Sequence, residues 1–108
     1  MPIRRSKYKN VITEVDGIKF HSKKEAARWS VLLLLEKAGK ISNLERQTTI
    51  KLEVNGHLIC RYRPDFCYIE NGEKIVEDVK SPATSKEKVF VIKKKLVLAI
   101  HGITIRET

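Results

Sequence analysis

The sequence has few cysteines and no long apolar run, and each absence excludes a class of protein. The two cysteines, Cys60 and Cys67, fall on consecutive predicted strands where an unbroken ladder turns them to opposite faces. We therefore expect neither a disulfide nor a zinc site. The stretch Val31 to Leu35 is a five-residue apolar run, far short of the roughly 20 residues that a membrane span needs. No signal-peptide pattern opens the sequence, and we expect a cytoplasmic protein that has no membrane partner.

Acidic residues are scarce beside basic ones. The 108 residues include 22 Lys and Arg against 13 Asp and Glu, a formal net charge of +9. Most of the excess lies in residues 1–10 and residues 86–95, each with a charge of +4. The basic residues of these segments are Arg4, Arg5, Lys7, Lys9, Lys86, Lys88, Lys93, Lys94 and Lys95. Such concentrated charge favours nucleic acid as the partner and these residues as DNA contacts. A basic tail can also serve solubility, and a lysine-rich helix face can simply be solvated.

Length and turn chemistry predict one folded domain behind a basic arm. Residues 1–10 form the flexible arm, and residues 11–108 form a domain long enough for one core. Tight turns are expected at Asp16-Gly17, Asn55-Gly56 and Asn71-Gly72, which suit hairpins. The predicted elements are a hairpin over Val11 to Phe20, a helix that begins after Ser22 and runs to about Ala38, a connector over Ile41 to Arg46, a strand over Gln47 to Val54, a hairpin over Arg61 to Lys80, a helix from Thr84 to Gly102 and a strand over Ile103 to Arg106.

The order of these elements predicts an α/β fold of the α+β type. The early strands form an antiparallel meander. The strand, helix and strand at the end of the sequence imply a right-handed crossover, which makes the last strand parallel to the one that carries Asp78. The sheet is therefore mixed and is flanked by two helices. For the second helix we expect a capping box of Thr84 and Glu87. Its buried stripe is predicted at Val89, Ile92, Leu96 and Ile100.

The hairpin around Asn71-Gly72 carries the residues with the clearest chemistry. A two-residue turn there places Asp65 opposite Asp78 and Arg63 opposite Lys80. Two facing carboxylates repel unless a positive charge lies between them. Pro64 has no N–H, so the carbonyl of Val79 lacks its ladder donor. Asp65, Asp78 and this carbonyl form an all-oxygen site suited to Mg²⁺, and Lys80 lies on the same face as Asp78 because strand side chains alternate.

Pro64-Asp65, twelve further residues and then Asp78-Val79-Lys80 resemble the signature of the PD-(D/E)XK nuclease superfamily. The segments FHSKKEAARW, LERQ and VFVIKKKL are similar to those of its small phage-encoded, Holliday-junction-resolvase-like endonucleases. The resemblance covers nearly the whole sequence from Phe20 onward. It implies a restriction-endonuclease-like core, a Mg²⁺ cofactor that Mn²⁺ can replace, no organic cofactor, and a homodimer that acts on branched DNA.

The resemblance also suggests roles for two polar residues outside the signature. It implies that Glu25 helps to hold the metal or its water, whereas the residues alone predict that Glu25 completes a capping box with Ser22. Both roles can coexist. Gln47 resembles a glutamine at the edge of such active sites and can equally be a loop amide. Glu77 should point away from Asp78 and is interpreted as structural, although a one-residue slip in register would exchange the two.

The expected reaction is metal-dependent hydrolysis of a DNA phosphodiester in phage recombination or DNA processing. Asp65, Asp78, the Val79 carbonyl and Glu25 are the predicted metal ligands. Lys80 either stabilises developing negative charge or orients and helps to deprotonate the attacking water. Two other functions share the same residues or charges. One is a general or transposition-type DNA endonuclease, and the other is a non-catalytic nucleic-acid-binding module.

Overall fold

The computed structural model describes residues 12–108 and contains eight strands and two helices in that range. The predicted arm at residues 1–10 lies outside the described residues. The elements are β1 Thr13–Val15, β2 Ile18–Phe20, α1 Lys23–Lys37, β3 Ser42–Arg46, β4 Ile50–Val54, β5 His57–Tyr62, β6 Phe66–Glu70, β7 Glu73–Asp78, α2 Lys88–His101 and β8 Arg106–Glu107.

A four-stranded mixed sheet in the order β3-β6-β7-β8 positions the candidate site. Strands β6 and β7 form the predicted hairpin, with Glu70 opposite Glu73 and Phe66 opposite Glu77. Its turn places Asn71 at φ 52° and Gly72 at φ 77°, a region in which Asn and Gly are the favoured residues. Strand β8 runs parallel to β7. The mixed sheet with two helices and a parallel last strand confirms the predicted fold class.

The two helices cover opposite faces of this sheet. Side chains alternate along β6, so Phe66 and Tyr68 point to one face and Cys67 points to the other. Phe66 and Tyr68 pack in one buried cluster with Leu32 of α1. Cys67 packs in a second cluster with Val97 of α2 and with residues of β4 and β5. Burial of these apolar side chains is the main favourable term that fixes each helix on its face.

The start of α1 follows the sequence prediction. The hydroxyl of Ser22 accepts a hydrogen bond from the backbone N–H of Glu25 at 3.1 Å, which satisfies one of the free donors at the helix N-terminus. The helix ends at Lys37 with Ala38 as its cap. Gly39 follows at φ 74°, where glycine is favoured because it has no Cβ.

The prediction of a connector over residues 41–46 is wrong. Strand β3 occupies Ser42–Arg46 and pairs antiparallel with β6. The pairing is interrupted by a bulge between Ser42 and Glu45, and Asn43 within it has φ 54°. The sequence of β3 accordingly lacks the alternation of apolar and polar residues that identifies a regular strand. A bulge changes which side chains face the core, so the period of two that predicts a strand is lost.

The predicted meander is divided among three sheets, and β1 with β2 forms the predicted first hairpin as a sheet of its own. Strands β4 and β5 pair with each other across Asn55-Gly56, as expected, but form a separate two-stranded sheet. Strand β4 also begins at Ile50 rather than at Gln47. Gln47 adopts φ 51°, which extended pairing does not tolerate. The last strand is likewise displaced, to Arg106–Glu107.

The start of α2 and its buried stripe differ from the prediction. Thr84 does not cap α2, because a 3₁₀ turn occupies Thr84–Lys86 and α2 begins at Lys88. The Thr84 hydroxyl instead accepts from the Ser81 N–H at 2.8 Å. Val89 and Ile92 are exposed by 64% and 58%, so half of the expected stripe faces outward. The fully buried positions are Phe90 and Val97, and Gly102 ends the helix as predicted, at φ 69°.

Between residues 12 and 108, no helix has the length and apolar character to cross a bilayer.

Candidate functional site

A cleft of about 710 Å³ opens at the end of β7, between the start of α1 and the start of α2. Its lining includes all the residues that the sequence analysis placed in an active site. These are Glu25, Gln47, Asp65, Asp78, Val79 and Lys80. Four different segments of the chain supply them, so the fold brings together residues that are distant in sequence.

Asp65 and Asp78 lie in direct contact at this cleft. The regular pairing of β6 with β7 ends at Phe66 and Glu77, so Asp65 does not continue the ladder as expected. Instead, the Asp65 N–H donates to Asp78 Oδ1 at 3.2 Å, and the Val79 N–H donates to Asp65 Oδ2 at 2.8 Å. Arg63 also lies outside a ladder with Lys80, since β5 ends at Tyr62 and β6 begins at Phe66.

The closeness of the two carboxylates has an electrostatic cost. Burial, together with a hydrogen bond to Asp78 and the charge of Asp78, raises the pKa of Asp65 to about 8. The Val79 N–H opposes this effect. A proton shared by the pair offsets the repulsion when no cation is near, and a divalent cation can do the same.

Glu25 brings a third carboxyl group to the cleft. Only 4% of the residue is exposed. Its Oε1 is buried and has no hydrogen-bond partner among residues 12–108, whereas its Oε2 lies 3.8 Å from His21 Nδ1. Burial raises the pKa of Glu25, and the positive charges of His21 and Arg46 oppose that rise. Only the Ser22 half of the predicted capping box forms: the Glu25 N–H donates to the Ser22 hydroxyl, but the buried Glu25 Oε1 makes no return bond to Ser22. The Glu25 side chain lines the cleft instead.

Lys80 approaches Asp78 from the side of α2. Its Nζ lies 3.8 Å from Asp78 Oδ2 and 4.1 Å from the centre of the Phe90 ring. An ammonium group over an aromatic face is attracted by the ring quadrupole. The backbone carbonyl of Lys80 accepts a hydrogen bond from Lys24 Nζ at 2.7 Å. Phe90 therefore holds the lysine side chain beside the carboxylate, and Lys24 holds its backbone to α1.

Gln47 lies at the cleft, where the resemblance to nucleases implies an edge position for it. Its backbone N–H donates to the Asp65 carbonyl at 3.2 Å, so it ties the chain between β3 and β4 to the residue before β6. This contact uses the backbone and leaves the side-chain amide free to line the cleft.

Tyr62 is a site residue that the sequence analysis missed. Its hydroxyl donates a hydrogen bond to Asp78 Oδ2, and 5% of the residue is exposed. Burial raises the pKa of this hydroxyl, and the charge of Asp78 raises it further. The sequence predicts that a tyrosine in an apolar strand, three positions before Asp65, is a residue of the hydrophobic core. The available signal was its hydroxyl, because a buried Tyr hydroxyl usually has a polar partner.

Glu77 faces the opposite side of the sheet, as predicted. Arg28 of α1 donates two hydrogen bonds to its carboxylate, at 2.7 and 2.9 Å, and the Tyr68 hydroxyl donates another at 2.6 Å. Although burial raises its pKa, the hydrogen bonds from Arg28 and Tyr68 outweigh burial, and the net pKa is lowered. Glu77 is thus ionised and fully paired, which is a structural role.

The predicted DNA-contacting lysines in α2 and in the turn before it have different positions. Lys93 lines the cleft. Lys94 pairs with Glu107 of β8 at 2.5 Å, so its charge is largely neutralised within the fold. The remaining three lysines are exposed on the surface: Lys86, Lys88 and Lys95. The four predicted contacts of the basic arm, Arg4, Arg5, Lys7 and Lys9, lie outside the described residues.

The donor chemistry of the cleft fits a hard divalent cation. Between residues 12 and 108, no three His, Cys, Asp or Glu side chains are already placed as a closed metal-binding group. The cleft nevertheless combines two carboxylates in contact, the backbone of Val79 and the unpartnered Oε1 of Glu25. Mg²⁺ prefers oxygen ligands and is usually held by one or two carboxylates together with water.

Comparison with known protein families gives one match. A family described as "Protein of unknown function (DUF1064)" matches residues 5–101. The chain belongs to this family. The matched region includes α1, the β6–β7 hairpin and α2, and it contains every residue placed in the candidate metal site. No curated protein and no solved structure matches the chain significantly.

Proposed function

We propose that this member of the DUF1064 family is a metal-dependent DNA endonuclease of the PD-(D/E)XK type, selective for branched DNA. The observation that carries the proposal is the contact between Asp65 and Asp78 in a cleft that also holds Lys80. An acidic pair in which the pKa of Asp65 is raised, placed beside a lysine, is costly for stability, and such arrangements are concentrated at functional sites.

Asp65, Asp78 and the Val79 carbonyl are the proposed ligands of Mg²⁺, with Glu25 as a further ligand directly or through water. A bound Mg²⁺ supplies a nucleophile at neutral pH and neutralises charge on the reacting phosphate. The chain's own residues position the substrate. Because Lys80 Nζ lies 3.8 Å from Asp78 Oδ2, it can donate to a phosphate oxygen or orient a water beside that carboxylate.

Cleavage of labelled DNA tests this proposal. The substrates are a four-way junction, a linear duplex and a single strand, each with Mg²⁺, Mn²⁺ or EDTA. We expect paired cuts in the junction with either metal and none in EDTA. Asp78→Asn should abolish cutting, because it removes one charge of the acidic pair. Glu53→Gln is the matched control, since Glu53 is exposed on β4 and outside the cleft.

The outcomes separate the remaining functions. Equal cutting of linear duplex and junction would retain the active site and reject the selectivity for branches. Binding of DNA without cutting under either metal would reject the nuclease and favour a binding module. Symmetric cuts also require two active sites, so the proposal includes a homodimer, which sedimentation of the protein with and without the junction would detect.

A further inference from the structure

Two arginines that have no role in the proposed metal site line the same cleft. Arg61 is in β5, and Arg63 follows that strand. Both are exposed, whereas Tyr62 between them is buried. Since strand side chains alternate, the arginines share a face and are separated by about 7 Å along the backbone. This spacing is comparable with that of neighbouring phosphates along one nucleic-acid strand.

Neither arginine is used by the fold. The side chains of Arg61 and Arg63 make no ion pair or hydrogen bond with residues 12–108. The other three described arginines all have partners. Arg28 binds Glu77, Arg106 binds Glu70, and Arg46 lies over the ring of Phe20 at 4.6 Å. The two cleft arginines are therefore the ones available to an external anion.

The position of these arginines relative to the acidic pair is fixed by the chain. Tyr62 lies between them and its hydroxyl is bonded to Asp78. Asp65 follows Arg63 after a single residue, Pro64, whose ring restricts the backbone. The backbone at Arg61 and Arg63 therefore cannot move far without breaking the contact between Tyr62 and Asp78. A ligand that binds both guanidinium groups is anchored to a stretch of backbone that leads directly to Asp65.

The cleft offers cations but no exposed Phe, Tyr or Trp ring on which bases can stack. Its Tyr62 and Phe90 are exposed by only 5% and 6%, and its one imidazole, that of His21, lies 3.8 Å from Glu25 Oε2. Proteins that bind unpaired bases present exposed aromatic rings to them. Guanidinium groups without such rings instead suit phosphate oxygens, which Arg can bind with two parallel hydrogen bonds.

We propose that Arg61 and Arg63 clamp two successive phosphates of one strand of duplex DNA and thereby position it over Asp65 and Asp78. The inference rests on the proposed function for the identity of the polyanion. It adds two positioning residues and a mode of binding that reads the backbone and not the base sequence. Lys93 of α2 lines the same cleft and adds a further positive charge to it.

The test measures binding without cleavage. The affinity of the full chain for a labelled duplex is determined by fluorescence anisotropy in EDTA over a series of salt concentrations. The variants are Arg61→Gln, Arg63→Gln and the double substitution. The matched control is Lys37→Gln with Lys74→Gln, because these two lysines are exposed and lie outside the cleft. Circular dichroism verifies that each variant is folded.

The slope of log K against log salt concentration measures how many counterions binding releases. We expect each single substitution to reduce the size of this slope by about 0.9 and the double substitution by about 1.8, because one phosphate contact is lost for each arginine removed. The loss should be equal for duplexes of unrelated sequence. A slope that changes no more in the double variant than in the lysine control would overturn the clamp, as would failure of the wild type to bind duplex. If the protein binds DNA through both arginines but never cuts it, the proposed nuclease function is rejected and the phosphate clamp is retained.

Discussion

Adjacent residues of β7 have opposite roles because their side chains leave opposite faces of the strand. Glu77 points to the face covered by α1, where Arg28 of α1 and Tyr68 of β6 satisfy its carboxylate. Asp78 points to the cleft, where it contacts Asp65 and Lys80. The same negative charge is thus neutralised within the fold at one position and left available for a ligand at the next. Chemistry alone does not distinguish the two residues, but the strand period does.

Tyr62→Phe tests whether the hydrogen bond to Asp78 positions that carboxylate. Partners that orient a metal-binding carboxylate typically change metal affinity or activity by about 10- to 100-fold when removed. We expect a loss of that order in single-turnover cleavage, with a higher Mg²⁺ concentration needed for half of the maximal rate. The rate is measured across a series of Mg²⁺ concentrations.

Tyr68→Phe is the matched control for Tyr62→Phe, because it removes a hydroxyl that binds Glu77 on the other face of the sheet. It should lower the free energy of unfolding and leave the Mg²⁺ dependence of cleavage unchanged. Wild-type cleavage by Tyr62→Phe at every Mg²⁺ concentration would contradict a positioning role for Tyr62.

At the level of elements, the sequence predicts best where a short local signal decides the structure. Asn71-Gly72 determines the register of the β6–β7 hairpin, and Ser22 determines the start of α1. It predicts poorly where contacts between distant segments decide. Strand β3 exists because β6 pairs with it. The start of α2 depends on Ser81 and its turn, which bind the hydroxyl of Thr84.

The same distinction applies to the candidate site. Asp65, Asp78 and Lys80 follow from the hairpin register and could be predicted. The contact of Tyr62 with Asp78 depends on how the separate β4–β5 sheet lies against β7, and the contact of Lys80 with Phe90 depends on where α2 begins. Neither arrangement has a local sequence pattern, so both needed the structure.

Arg28→Met tests how strongly α1 is fastened to the central sheet. The substitution leaves the Glu77 carboxylate, whose side chain is 0% exposed, without its cation. Removing one partner of a buried ion pair costs about 3–5 kcal/mol. We expect the free energy of unfolding, measured by urea titration, to fall by that amount.

Two further variants complete the Arg28 experiment. Lys37→Met, at the exposed end of α1, should change the unfolding free energy little. The double substitution Arg28→Met with Glu77→Gln should recover part of the loss, because it removes the unpaired charge. A double variant as unstable as the sum of the two single variants would show that the two side chains are not coupled.

For the whole molecule, the acidic pair makes stability depend on pH when no metal is present. The pKa of Asp65 is about 8 in the folded chain, against an ordinary value of 3.8, chiefly because of burial and then because of Asp78. The folded state therefore holds a proton that the unfolded state has released. Stability must fall as the pH rises between about 4 and 8.

We expect the free energy of unfolding in EDTA to decrease from about pH 5 to pH 8, and Asp65→Asn to flatten that decrease. Glu77 does not contribute in this window, because its pKa is lowered from 4.5 and its effect belongs to more acidic solutions. Urea titrations at several pH values measure the slope. The Glu53→Gln control should keep it, and a wild-type slope in Asp65→Asn would exclude the acidic pair as its cause.

The β6–β7 hairpin has a consequence for how the gene can change. Twelve codons lie between those of Asp65 and Asp78, and they specify two strands and a turn. Because strand side chains alternate between the two faces, the number of residues after the turn decides which acidic side chain reaches the cleft. Replacing one codon alters one side chain. Inserting one codon within β7 moves Glu77 into the place of Asp78, and deleting one moves Val79 there. Either change turns Asp78 to the opposite face of the sheet. This segment should therefore accumulate substitutions far more readily than changes in length.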